Sequence, residues 1–499
     1  MADERECFLA LDAGTGAGRA VLFDGTGEVL AEAYEEWAYR PVEGLPQAQE
    51  FDPGVVWETF GRLCRAVLER AGIEAGQVAA VSTTSQRGGY VFLDWAGTAI
   101  YGGPNLDQRP LVHPLFRDPR FRQLLIQQTG QGIRPYRLSA RLTWFQAERP
   151  EFFARIACVL GLNDWLVYQL TGERRVDPSH ASFTGLFDVT RGDWADEFIA
   201  ALGLPRAIFP PVSWPAEAQG RVTDEASRVT GLSPGTPVYT GAGDTQAALL
   251  GCGALAPGTV VAVSGTTTPL QMVLDRPVVD LSGAAWTSCY VTRGRWVLEA
   301  NCGLTGLALR WLRDLFGEAD YGFVERALRE VSPGSSGVLN FLGPLPARPA
   351  PLPPGRLEQI IIHGPSRVGR GELTRSLCES VAYAAKANLD LLGRLTGYQP
   401  SRLIWCGGMA RNRALVELLA AVAGLPVEAH PGETSALGTA MCAAAGLGTA
   451  SDLREAARRL SRPGERVEAD PALQAIYRPL YERWLREAYQ DDGEQAGEG

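Results

Sequence analysis

A glycine- and hydroxyl-rich turn with an acid beside it occurs twice in this chain, and the chemistry such a turn offers is phosphate binding. The first copy reads Leu11-Asp12-Ala13-Gly14-Thr15-Gly16-Ala17-Gly18-Arg19, and the second runs from Gly241-Ala242-Gly243-Asp244 through Ser264-Gly265-Thr266-Thr267. Glycines let backbone N–H groups approach phosphate oxygens, the hydroxyls of Thr15 and Thr266 can donate further bonds, and a carboxylate beside the turn can hold hydrated Mg²⁺. A P-loop is excluded, because its lysine must follow the glycine loop and the single lysine of the chain, Lys386, does not. One glycine turn alone would be weak, since most are tight hairpins whose glycines satisfy positive φ; two, each with an acid, carry more weight.

The elements that must position these turns are legible around them. Each turn follows a short apolar run, Cys7 to Leu11 and Pro237 to Tyr239, and each leads into another β-type run, Ala20 to Phe23 and Val260 to Val263. This order predicts two strand-turn-strand units facing one nucleotide. Between Val55 and Arg70, Phe60, Leu63, Cys64 and Val67 recur at helical spacing, with Asp52 placed to cap and Pro53 at the first helical position. Val78 to Thr83 reads as a strand. Arg413 to Ala423 repeats the helical pattern and stops at Gly424 and Pro426. The Pro-rich segment from Gly343 to Gly355 reads as a surface loop rather than a hinge.

Bulk properties narrow the class. A chain of 499 residues exceeds the size at which one core keeps growing, so at least two domains are expected. A net charge of -10 without a basic block argues against nucleic acid as partner. The nine cysteines are odd in number, scattered, and form no C-x-x-C pair, and only four histidines accompany them, which favours buried reduced thiols over disulfides or a metal centre. Met1 to Glu6 is acidic and the first apolar run stops at Asp12, so no signal peptide and a cytoplasmic location are expected. The stretch Ala436 to Ala450 falls short of the roughly 20 residues that span a bilayer, so no membrane insertion is expected.

Further pieces follow in an order and spacing that resemble the FGGY family of carbohydrate kinases, in the actin-like ATPase superfamily. They are Asp12 to Arg19, Ser85-Gln86-Arg87, Asn105-Leu106-Asp107-Gln108-Arg109, Asn163 to Leu166, Asp177-Pro178-Ser179, Gly243-Asp244, Gly265-Thr266-Thr267, Gly306 to Asp314, Cys406-Gly407-Gly408 with Asn412, and Ala436 to Ala440. The resemblance covers most of the chain. It implies an α/β protein of two ribonuclease-H-like domains with the active site in the cleft between them. The boundary is set near Thr245: residues 1–245 would carry the acceptor and first phosphate loop, residues 246–499 the nucleotide. ATP and Mg²⁺ are the implied cofactors, and a hydroxyl of a small sugar or polyol the implied acceptor. A homodimer is compatible with this reading.

The resemblance also implies roles. Asp244, in its Gly-x-Gly-Asp-x-Gln context, would be the base that receives the acceptor proton; it could also cap the helix that opens at Thr245. Asp12 would organise Mg²⁺ through water, with Asp244 as the second acid at the metal; the alternative is a strand-end aspartate stabilising its own turn. Gly14, Thr15 and Gly16 form the first phosphate loop, and Thr15 and Arg19 would meet the β- and γ-phosphates, unless Arg19 faces solvent. Gly265, Thr266 and Thr267 form the second phosphate turn, and Gly306 would lie near the ribose. Gly407, Gly408, Met409 and Asn412 match the adenine side, an ordinary strand-to-helix loop being the alternative. Gln86, Arg87, Asp107, Arg109, Tyr136 and Thr245 fall where the family places sugar-facing or cleft-wall side chains. Asp107 with Arg109 could equally be a structural ion pair on a loop.

Departures from the family pattern bear on the acceptor. The Met-His pair of xylulose-phosphorylating members is Gln86-Arg87 here, and the glutamate that glycerol-phosphorylating members place after their arginine is Gly88. The second-domain Gly-Glu-Arg loop of pentulose kinases gives way to the Pro-rich segment. Ser85 to Gly88, Asn105 to Arg109, Asp164 to Leu166 and Asp177 through Asp188 resemble most the branch whose acceptor is a small linear polyhydroxylated dione. Another sugar or polyol stays open. So does a different class, an actin-like nucleotide switch, which would keep the cradles without needing Arg87, Asp107, Arg109 and Tyr136 as an acceptor wall.

Overall fold

A computed structural model describes residues 6–112, 119–132, 134–348, 359–362 and 368–489. Two sheets organise it. The first contains β1 (Cys7–Ala13), β2 (Ala17–Asp24), β3 (Val29–Glu36), β4 (Val78–Ser85), β5 (Ala218–Arg221) and β6 (Pro237–Gly243), in the order β5-β6-β4-β1-β2-β3. The apolar run of β1 continues through the glycine turn Gly14-Thr15-Gly16 into β2, so these strands pair antiparallel; β4 runs parallel to β1, and β6 parallel to β4. The register sets Ala13 opposite Ser85 and Ser85 opposite Gly243. Three parallel strands therefore end level, and whatever follows them emerges from one edge.

The second sheet contains β7 (Val260–Ser264), β8 (Pro269–Leu274), β9 (Trp286–Cys289), β10 (Trp296–Asn301), β11 (Leu403–Gly407), β12 (Val427–His430) and β13 (Glu465–Val467), in the order β9-β10-β8-β7-β11-β12-β13. Its β7–β8 hairpin stands where β1–β2 stands in the first sheet. It is flanked likewise by an antiparallel strand on one side and two parallel strands on the other. The fold is thus a duplicated α/β unit, as expected.

Sequence signals account for many elements. The helix Pro53–Ala71 is capped by the Asp52 side chain, ends at Gly72 in the left-handed region, and buries Phe60, Leu63, Cys64 and Val67. The helix Arg413–Ala423 has the expected bounds and stops at Gly424. The expected Val78–Thr83 strand extends to Ser85. All nine cysteines are buried free thiols. Among the described residues, no helix is long and apolar enough to cross a membrane. Most of the Pro-rich segment, from residue 349 to its end at 355, lies outside the described residues.

One expectation is corrected. The second glycine pattern is not a single strand-turn-strand unit: Gly241 to Gly243 close β6 in the first sheet, Asp244–Gly251 is a helix, and the hairpin turn at Gly265 belongs to the second sheet. A helix intervenes because Thr245 to Gly251 is an apolar stretch with helix-forming alanines and leucines rather than alternation.

That helix and another, Thr434–Leu447, fill the space between the sheets. Their side chains Ala247, Leu250, Ala440 and Ala443 share one apolar cluster with Phe8, Ala10 and Val21 of the first sheet and Val261, Val273 and Ile404 of the second. The two helices cross with almost no separation. A Cβ built on Gly438 would stand 1.9 Å from the Ala247 carbonyl oxygen, and one on Gly251 2.0 Å from that of Thr434. Gly438→Val should therefore force the helices apart and cost roughly 1–3 kcal/mol, read as a lower thermal midpoint of the ligand-free protein. An unchanged midpoint would contradict a close-packed crossing.

Candidate active site

Because β1, β4 and β6 end level, Asp12, Arg87 and Asp244 meet at one edge of the first sheet. Asp12 sits one residue before the end of β1, opposite Arg19 on β2. Its Oδ1 is buried and accepts no hydrogen bond. Burial pushes the Asp12 carboxyl up to about 7, with Asp244 adding, Arg19 opposing and Glu433 adding further. Asp244 opens the helix after β6; Gly243 holds the N-cap position, so Asp244 does not cap this helix in the ordinary sense. Its Oδ1 accepts from the Thr245 N–H at 2.8 Å and lies 3.7 Å from Arg87 Nε. Burial pushes its carboxyl up to about 6, Arg87 and the Thr245 N–H opposing and Glu299 adding. The Asp244 side chain is 35 % exposed into the cleft, so cleft water tempers this effect. Two neighbouring carboxylates, one with an unpartnered oxygen, are the hard oxygen donors that Mg²⁺ takes, so the residues present fit that ion.

The first glycine turn is braced from behind. Gly16 N–H donates to the Tyr39 hydroxyl at 2.8 Å, and Gln86 Nε2 donates to the Gly14 carbonyl at 3.2 Å and to the Tyr39 hydroxyl at 3.1 Å. Gln86 is thus placed behind the loop and does not line the cleft, contrary to the sugar-facing position expected for it. Thr15 is exposed, its hydroxyl accepting from Asn105 Nδ2 at 3.2 Å. Arg19 faces the cleft rather than open solvent, and its guanidinium donates to Glu433, the residue just before the helix Thr434–Leu447.

The second turn faces the first. Gly265, Thr266 and Thr267 project from the β7–β8 hairpin into the cleft. Behind them starts the helix Thr305–Phe316, whose Leu307 N–H donates to the Thr266 carbonyl at 3.2 Å. Gly306 lets that helix approach, since a Cβ there would come within 2.0 Å of the Gly265 carbonyl oxygen. Gly306 is therefore a packing position and does not line the cleft. Gly407 ends β11 with φ +90° beside Ser264, Met409 N–H donates to Ser264 Oγ at 3.2 Å, and a Cβ on Gly408 would meet nothing. Asn412 Oδ1 accepts from the Leu415 N–H at 2.9 Å, so its side chain is committed to a helix cap. These four lie behind the second turn, outside the lining of the cleft as it stands.

On the cleft wall expected to face the acceptor, Arg87 is the organising residue. Its stem runs over Gly243, where a Cβ would come within 3.0 Å, and its guanidinium lies 4.6 Å over the Phe183 ring. Nη1 donates to Glu299 Oε2 at 2.6 Å and Nη2 to Oε1 at 3.0 Å. Tyr136 stacks on Phe183 with centroids 5.7 Å apart. The Thr245 hydroxyl accepts from Gln271 Nε2 at 2.9 Å. Asp107 and Arg109 do not reach the cleft. Asp107 is fully buried and accepts from the Tyr101 hydroxyl at 2.6 Å and from Arg109 Nε at 2.8 Å, while Arg109 also reaches Glu50 at 2.8 Å. They form the structural ion pair, with Arg141 Nε also 3.7 Å from the buried Asp107 carboxylate, whose charge must be met inside the domain.

The cleft between the two turns encloses about 530 Å³ and is walled from both sheets. Sequence reading missed Glu299, Phe183, Trp286 and Glu433. Glu299 alone carried a signal, a single acid following the apolar run Trp296-Val297-Leu298 in its strand.

The comparisons with known proteins agree along most of the chain. The N-terminal domain of the FGGY family of carbohydrate kinases matches residues 7–251, and its C-terminal domain residues 260–447. The chain is 32% identical to autoinducer-2 kinase of Escherichia coli K12, over 98% of this chain and 95% of that protein. It is also 32% identical to autoinducer-2 kinase of Salmonella paratyphi B, over 97% and 94%. Among solved structures, a ligand-bound xylulose kinase from Lactobacillus acidophilus superposes with TM-score 0.86 at 19% identity, covering 97% of this chain and 98% of that one. A glycerol kinase from Plasmodium falciparum with ADP gives TM-score 0.83 at 18% identity, covering 97% and 98%.

A carboxyl raised on folding stabilises the protein below its unfolded pKa and loses that contribution as pH rises through its folded pKa. For Asp12 the window runs from about 4 to about 7. In metal-free protein, Asp12→Asn should match the parent in thermal midpoint near pH 4 and exceed it near pH 8. Equal midpoints at both would contradict the buried, unpartnered carboxylate.

Proposed function

Because this chain belongs to the FGGY family of carbohydrate kinases and is an ATP-dependent carbohydrate kinase, we propose that its cleft transfers the γ-phosphoryl group of ATP to a hydroxyl of a small sugar-like acceptor. The acceptor favoured is a linear dihydroxypentanedione of the autoinducer-2 type. The single observation that carries the catalytic reading is the meeting of Asp12 and Asp244 at one strand edge, with the Gly265–Thr267 turn opposite across the cleft. The acceptor reading rests on the relatives named autoinducer-2 kinase and on Gln86-Arg87-Gly88, where xylulose- and glycerol-phosphorylating members differ.

The residues divide the work as follows. Backbone N–H groups of Gly14 to Gly16 and Gly265 to Thr267, with the hydroxyls of Thr15 and Thr266, bind phosphate oxygens from two sides. Arg19, steered by Glu433, adds a charged donor at the same place. Asp12, with Asp244 beside it, would hold Mg²⁺ through water, and the ion would supply charge neutralisation at the phosphates. Asp244 takes the proton of the attacking hydroxyl, for which it must be ionised, and its Arg87 neighbour favours that form. Tyr136, Phe183 and Trp286 wall the acceptor from water. Gly407 to Asn412 support the second turn from behind, and Gly407 and Gly408 leave a flat backbone for the adenine ring.

The test is acceptor-dependent ADP release over a panel of the dihydroxypentanedione, D-xylulose, D-ribulose and glycerol. Turnover with one of them is expected, and the dione should give the largest kcat/KM. Asp244→Asn should bind ADP like the parent and lose transfer by about 10²-fold or more, the usual contribution of a positioned base. ATP consumption indifferent to every acceptor would overturn the kinase reading in favour of a nucleotide switch, and near-parental transfer by Asp244→Asn would remove Asp244 as base.

A further inference from the structure

The cleft-lining cations among the described residues are Arg19 and Arg87, and a carboxylate already engages each: Glu433 takes Arg19, and Glu299 takes Arg87. Arg87 and Glu299 come from different domains, one following β4 and the other within β10. The pair is bidentate and almost fully enclosed, with side-chain exposures of 7 % and 1 %. Gln271 Nε2 also donates to Glu299 Oε2, at 2.5 Å, which leaves the carboxylate one fixed orientation.

We propose that Glu299 is a positioning residue, supplied by the second domain, that locks the Arg87 fork and thereby restricts this site to acceptors without a carboxylate or phosphate. The inference rests on the proposed kinase reading of the same cleft. An acidic acceptor is recognised by the two parallel N–H groups of a free guanidinium fork. Here both Nη atoms point at Glu299, and only the Nε edge turns towards Asp244, 3.7 Å away. An anionic acceptor would meet Asp244 and Glu299 with no cation free to receive it. An uncharged polyol needs only single directed bonds, which Asp244, Thr245 and the remaining Arg87 protons can supply. Arg137, the next nearest cation over Phe183, cannot substitute: it is fully buried, donates to the carbonyls of Gly132 and Phe183, and does not line the cleft.

Locking also fixes where Arg87 stands relative to Asp244. Without Glu299 the fork is free to swing onto Asp244 or onto an incoming anion, and either outcome displaces the contact that holds a neutral acceptor. Because the pair joins the two domains, the acceptor wall is complete only when they are together.

The test uses the full-length chain with ATP and Mg²⁺, and three variants: Glu299→Gln, Glu299→Asp and Arg87→Gln. Acceptors are the dihydroxypentanedione, D-xylulose, D-ribulose and glycerol as uncharged probes and D-gluconate as the anionic one. The parent should use D-gluconate at least 100-fold less efficiently than its best uncharged acceptor. Glu299→Gln should raise the KM for that acceptor at least tenfold, leave the KM for ATP within twofold, and narrow the discrimination against D-gluconate at least tenfold. Glu299→Asp should recover part of the acceptor KM, and Arg87→Gln should raise that KM without opening the site to D-gluconate. ADP binding by calorimetry reports folding of each variant; were Glu299→Gln unable to fold, Glu299→Asp must show the same shifts in smaller degree. A parental acceptor KM and unchanged discrimination in both Glu299 variants would overturn the inference, as would a parent that prefers D-gluconate. A parent that binds ATP yet phosphorylates nothing in the panel would instead overturn the kinase reading beneath it.

Discussion

Two like charges forced together are the constraint around which this molecule is arranged. The register of three parallel strands places Asp244 close enough to Asp12 to add to the burial that disfavours its ionisation, burial likewise raises Asp244, and Asp12 keeps an oxygen with no partner at all. Left to itself such a pair costs stability, and a fold retains it where a cation and an anionic ligand relieve the cost. Around it, ion pairs hold the flanking arginines in fixed directions: Arg87 on Glu299, and Arg19 on Glu433. The arrangement is preorganised, so little needs to move when charge develops.

The two sheets repeat one topology, and each contributes one glycine hairpin to the cleft. What joins them is a shared apolar core, not a linker. The glycines at 251 and 438 let two helices pass at backbone contact between the sheets, and the strand edges that carry the turns are thereby held at a set separation. Beyond this core, Gln131 donates to the Thr287 carbonyl and the Cys289 N–H donates to the Ser182 hydroxyl at 3.0 Å, so edge contacts also cross between the halves. Motion between domains would have to break such edge contacts and the Arg87–Glu299 pair while sparing the helix crossing.

Much of this was legible in the sequence where the signal is local. The cap at Asp52, the stop at Gly424 and the turn at Gly14 to Gly16 follow from backbone requirements of a few neighbouring residues. The helix Asp244–Gly251 was legible as a helix opening at Thr245, but it competed with the strand-turn-strand reading because its side chains are buried on all sides between two sheets and so show no amphipathic period. Side-chain roles that depend on distant partners were the least legible. Asp107 and Arg109 satisfy each other inside the first domain, Gln86 turns back to brace a loop 72 residues away, and Glu299 meets an arginine 212 residues distant. Nothing in the local pattern of any of these fixes which way the side chain points; a lone acid after an apolar run was the one hint.

The central claim is that two hairpins from different domains grip the same triphosphate. A double-mutant cycle in the affinity for a non-hydrolysable ATP analogue tests it most directly, using Thr15→Ala, Thr266→Ala and the double variant. The account predicts that each single change weakens the analogue by roughly 2- to 10-fold, the range for one lost hydrogen bond, and that AMP binding is spared in both. Weakened binding in only one of the two variants, or equal losses for the analogue and AMP, would contradict it.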